Sequence, residues 1–175
     1  MLVEEAKSIF SGWKRETLSA AGVNFSETAD PVFHRSDDYK VIYEASFEPN
    51  VLDKARVELW VTDIGHVAIG IETYERILKR TGLIAFRRGF ALGSEPGAVS
   101  EEALQTLFDA VSKGRAAIFV KSSLRMVSSV RLFLQASDYD SLVEAGYQPK
   151  WISSMADVAS SPLMHSDKML IYRPW

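Results

Sequence analysis

Cysteine is absent from the chain, which excludes disulfides, thiolate nucleophiles and zinc sites built on sulfur. The absence fits a reducing compartment. Histidine is nearly as scarce, with only His34, His66 and His165. They form no HxH or HExxH pair, so the common helical zinc motif is missing. No apolar run approaches the ~18 residues of a membrane span. The start, Met1-Leu2-Val3-Glu4-Glu5-Ala6-Lys7, places two glutamates where a secretory leader needs positive charge. A cytoplasmic protein without membrane contact is expected.

An excess of one charge is missing too. Twenty basic residues face 23 acidic ones, a formal net charge of −3. A general nucleic-acid binder needs a basic field or a concentrated basic face, so no nucleic-acid partner is expected. Lys79-Arg80 and Arg87-Arg88 are dense basic spots and read as solvated ends of elements.

The local motifs of catalysis are absent as well. There is no GxxxxGK[ST], no GxGxxG between strand and helix, and no GxSxG elbow. The loop Gly93-Ser94-Glu95-Pro96-Gly97 precedes a helix start, where backbone amides can hold an anion. Glu95, Glu101 and Glu102 crowd that end and would repel a phosphate. His66 lies near Asp63, a spacing that suits an acid–base pair or a solvent-facing turn. Ser-Pro-Leu-Met-His165-Ser-Asp invites a triad reading, yet triads are built in space and not by adjacency. Asp37-Asp38 is the adjacent acidic pair outside helix starts, and neighbours on an extended chain point apart. No catalytic residue, cofactor or metal is assigned.

What is present is an ordinary globular composition. The 175 residues are 47% hydrophobic and 25% charged, without low-complexity tracts or linkers. One domain over 1–175 is expected.

Periodicity supplies the elements. Val3, Ala6, Phe10, Trp13 and Thr17 form a helical stripe within 3–21, with Glu4 and Glu5 in the first turn. Residues 24–39 show little periodicity and read as a loop with a short extended piece at Val32-Phe33. Three alternating runs follow, at 41–48, 56–62 and 66–72, joined closely enough for an antiparallel meander. Residues 73–81 suit a short helix ended by Gly82, and 83–92 another strand bent at Arg87-Arg88-Gly89.

Ser100 caps the clearest helix, with Leu104, Leu107, Phe108 and Val111 on one face and Gly114 closing it. Strands at 116–121 and 126–135 come next, with Lys121-Ser122-Ser123 as the turn between them. Ser137 or Asp138 caps a helix stopped by Gly146. Residues 151–159 read as one or two helical turns, and 169–172 as a last strand. Grouped strands favour an α+β fold. Its sheet is mainly antiparallel, packed with an N-terminal helix, a central helix and short C-terminal helices. The two β regions can belong to one curved sheet.

Trp60 falls on the Arg56/Glu58/Thr62 face of its strand, opposite the Val/Leu face. It is either a binding anchor, as Trp is enriched at interface hot spots, or a core residue under a helix. Trp151 and Trp175 read as packing residues.

Two function classes survive: a binding protein that occludes a partner, and a small enzyme or small-molecule carrier with a pocket built from dispersed residues. Slight acidity, the opening helix from Met1 to Phe10, the meander and the lack of cysteine carry a resemblance. In this profile the chain is similar to bacterial polymorphic-toxin immunity proteins of the actinobacterial type, which include the antitoxin of the mycobacterial necrotizing toxin. The likeness extends over the chain as a profile and carries no motif, so no functional residue is transferred. It implies a cytosolic antitoxin, monomeric when free, whose partner is the catalytic domain of a cognate toxin. For that branch the toxin is an NAD glycohydrolase. Protruding loops are the natural contacts: Ser94, Glu95 and Pro96, the turn at Asp63 and Ile64, and the turn at Lys121 and Ser122, with Trp60 as an aromatic anchor.

Overall fold

The structure is a computed structural model and describes residues 3–17, 22–29, 39–84, 97–160 and 167–175. The N-terminal stripe forms helix α1, Val3–Thr17, and buries Ala6, Phe10, Trp13 and Thr17. The three alternating runs become strands β2 (Val41–Pro49), β3 (Val57–Thr62) and β4 (Val67–Ile71). A further strand, β1 (Val23–Ala29), pairs with β2, giving a four-stranded antiparallel sheet in the order β1-β2-β3-β4. This corrects the loop expected from residue 24. Four of the seven β1 residues are exposed in succession at its end, so one-sided burial never printed an alternation on the sequence. Val32-Phe33 lies outside the described residues.

Helix α2 (Tyr74–Thr81) follows β4. Thr73 caps it by accepting from the Arg76 amide, and Gly82 ends it with a left-handed φ of 68°. Helix α3 (Glu101–Ser112) is capped by Ser100, whose hydroxyl accepts from the Ala103 amide. Strands β5 (Ala116–Ser123) and β6 (Met126–Leu134) pair as a hairpin. Helix α4 (Ala136–Glu144), β7 (Ile152–Ser154), a 3₁₀ turn at Met155–Ser160 and β8 (Lys168–Ile171) complete the order.

The second β region is a separate four-stranded sheet in the order β7-β6-β5-β8, not a continuation of the first. Its β6–β7 pairing is parallel and the others are antiparallel. Two further expectations change. Gln135, without a side-chain bond, occupies the N-cap of α4, and Asp138 instead takes two hydrogen bonds from Arg115, at 2.9 Å each. The segment after Trp151 begins as a strand before it turns, because Ile152 and Ser153 add to the edge of β6.

One apolar core joins both sheets and α1, α3 and α4. On the inner face of the first sheet, Phe10 stacks on Tyr43 and Trp13 tilts against Phe47. Trp13 also stacks on Phe108 of α3, with ring centroids 4.2 Å apart. Trp175 closes this cluster against Phe47 and Phe108 and donates its indole N–H to the Ala55 carbonyl at 2.9 Å. Such aromatic contacts add about 0.5–1.5 kcal/mol each beyond buried area. Among the described residues no helix is long and apolar enough to cross a membrane.

Candidate functional site: an acidic aromatic face and two hairpin tips

With Phe25, Tyr43, Ala45, Phe47, Leu59 and Ile69 turned to the core, the alternate residues of the first sheet form its outer face, on which Ser46, Thr62, Ala68 and Gly70 are nevertheless buried. Register orders them in rows. Thr28, Glu44, Trp60 and Ala68 lie side by side, and Ser26, Ser46, Glu58 and Gly70 form the next row. Trp60 is half-buried on this face. A Cβ at Gly70 would meet Trp60 Cη2 at 2.8 Å, so the indole lies directly over that glycine. The missing side chain is what lets the ring rest on the strand.

Glu44 and Glu58 flank the indole across and along the sheet, and both are half-buried. Glu48 stands farther along, and Arg56 pairs with both Glu48 and Glu58. Glu44, Glu48 and Glu58 share this surface with two guanidiniums among the described residues, since Arg76 also reaches Glu48, at 3.3 Å. A Trp face edged by carboxylates attracts a cation through the ring quadrupole and by direct charge. Beyond Glu48 the face leads into a groove lined by Arg56, Thr73, Arg76 and Lys79.

The turn after β3 carries Asp63 and Ile64. The Lys40 amide donates to Asp63 Oδ1 at 3.0 Å, and the Asp63 amide returns a bond to the Lys40 carbonyl at 2.9 Å. The turn is thereby fixed, and Ile64 stands 55% exposed at its tip. His66 donates its amide to Thr62 Oγ1 at 3.0 Å, which folds it into the same turn.

The expected turn at Lys121 and Ser122 is displaced. Both residues are inside β5, where a register shift marks a bulge, and the reversal occurs two residues later at Leu124-Arg125. Lys121 remains exposed, while Ser122 is buried and its amide donates to Asp167 Oδ1 at 3.4 Å. Leu124 and Arg125 are residues that sequence reading missed. Leu-Arg is no turn signal, since two-residue hairpins favour Asn-Gly. Ser94, Glu95 and Pro96 lie outside the described residues, as do His34, His165, Asp37 and Asp38.

A buried charged cluster sits behind the groove. Burial, against the opposing pull of Arg76, holds the Glu72 carboxyl above its ordinary range. Burial first, and then the Glu72 charge, push the Tyr172 hydroxyl far above the usual tyrosine value. Arg80 stacks over the Tyr172 ring at 4.5 Å. Arg76 ties this cluster to the 49–54 loop through the Pro49, Val51 and Lys54 carbonyls, a structural staple. Among the described residues no group of three or more His, Asp or Glu is arranged to hold a metal.

Comparison of the chain with protein-family models, curated proteins and solved structures returns no match.

Proposed function

We propose that this chain is an immunity-type binding protein that neutralises a cognate toxin enzyme by covering its substrate site. The observation that carries the reading is Trp60 resting on Gly70, edged by Glu44 and Glu58 on the outer face of the first sheet. A large aromatic held in place loses little entropy on binding, and such residues dominate interface energetics. The carboxylates around it select a cationic counterpart. An enzyme that acts on an anionic substrate, such as a dinucleotide, lines its cleft with Arg and Lys. An acidic aromatic face competes for the same groups. The profile resemblance to toxin immunity proteins points the same way and supplies NAD glycohydrolase as the expected toxin class.

The test is co-expression with the catalytic domain of a toxin encoded in the neighbouring reading frame. The wild-type chain should restore growth and co-purify with the domain. Trp60→Ala should weaken the complex by about 30-fold or more, the effect of losing about 2 kcal/mol at a hot spot. Glu58→Lys should weaken it further at low salt than at high salt. Failure to protect against every adjacent candidate would overturn the reading. A thermal shift with metabolites but no protein complex would move it to a small-molecule carrier.

A further inference from the structure

The β5–β6 hairpin reverses through two residues that suit its backbone poorly. Leu124 has φ 49° and Arg125 φ 65°, both left-handed, with Ser123 and Met126 paired on either side. Positive φ at both central positions defines the type I′ turn, which Asn, Asp and Gly adopt at low cost and Leu and Arg do not. The sequence keeps side chains here that a hairpin alone would not select. Strain held at a surface tip is an indication of use.

The tip is presented firmly. The Ile84 amide donates to the Arg125 carbonyl at 2.9 Å, and Ile84 makes a parallel bridge with Met126. Ile84 is thereby placed beside the reversal. Leu124 is 90% exposed, Ile84 58% and Met126 37%. Three large apolar side chains thus gather at one projecting end. Arg125 at the tip and Lys121 in the adjoining strand are exposed and positively charged, and a carboxylate, Asp167, accepts from the Ser122 amide. Apolar centre and charged edge are the layout of a protein contact.

We infer that the Leu124-Arg125 tip is an anchoring contact for the partner protein, fitting an apolar socket edged by carboxylates. This rests on the reading of the chain as a toxin-neutralising protein and adds a second contact of opposite charge. A cationic cleft that accepts the Trp60 face would repel Arg125 and Lys121. The tip therefore docks on a separate acidic patch, where it strengthens the complex without covering the substrate site.

The experiment uses the full chain and the toxin domain that it neutralises in the growth assay. The double substitution Leu124→Asn with Arg125→Gly installs the favoured turn, so its Tm should equal or exceed that of the wild type. Its inhibition constant should rise at least 30-fold, while saturating protein still inhibits completely. Arg125→Glu should also weaken inhibition, through charge and without a glycine. An inhibition constant within threefold of wild type for both variants would overturn the anchor and leave the neutralising role standing. Incomplete inhibition at saturation would place the tip in the cleft and overturn the separate patch. Absence of any complex with the wild-type chain would overturn both readings.

Discussion

Arg76 donates from Nε to Glu72 Oε1 at 2.6 Å, while Glu72 holds a left-handed backbone with φ 73°. The pair joins the end of β4 to the first turn of α2. The Glu72 side chain is 0% exposed, and Arg76, with the Thr73 amide donating at 3.1 Å, opposes the burial that disfavours its charged form. Arg76→Ala would leave a carboxylate buried without its partner and free three loop carbonyls. It should lower stability by about 3–5 kcal/mol, read as a fall in the urea midpoint. A change below about 1 kcal/mol would show that the 49–54 loop holds itself.

Glu72 also sets a pH dependence. Its folded pKa is raised by burial despite Arg76. As pH rises above about 4.3, the unfolded chain gives up this proton first. The contribution is therefore full below that value and lost as pH passes through the folded one. The stability of wild type relative to Glu72→Gln should decline over that interval and then level. A difference that grows with pH would mean that the ion pair outweighs burial.

Tyr172 acts in the same direction at alkaline pH. Its raised pKa keeps the hydroxyl protonated in the folded state while the unfolded chain ionises above about 10. Stability should fall there by about 1.4 kcal/mol per pH unit from this residue. Tyr172→Phe should remove that part of the slope in denaturant titrations between pH 9 and 11. An unchanged slope would assign the alkaline loss elsewhere, for instance to Tyr43. Burial and then Glu27 raise the Tyr43 pKa as well.

Gly70 tests the seat of Trp60. Its backbone has no left-handed φ, and among the described residues the close obstacle to Gly70→Ala is the indole, at 2.8 Å. Overpacking of this kind costs about 1–3 kcal/mol, more than the ~0.4–1 kcal/mol gained from a stiffer unfolded chain. The variant should be less stable, and its Trp60 emission, taken as the difference from Trp60→Phe, should shift to the red. Full stability with unchanged emission would show that the ring does not rest on that glycine.

Much of the fold was legible because several of its elements bury one face. The Phe10/Trp13 stripe, the Val57/Leu59/Val61 alternation and the Ser100 cap are local signals of burial and capping, and the structure places helix, strand and cap there. The same alternation put Trp60 on the face opposite the core. Strand β1 escaped because its exposed end has no dry side, and the β5–β6 turn escaped because Leu-Arg lacks the usual residues of a reversal.

The sequence by itself determined composition, charge balance, the one-sided elements and the absence of cysteine chemistry. Only the tertiary structure decided that the strands divide into two sheets, that Trp60 sits on Gly70, and that Arg76 serves Glu72 and three carbonyls of a distant loop. Local periodicity reports which side of an element is dry. Which residues meet across elements follows from strand register and packing, and these are settled only when the whole chain folds.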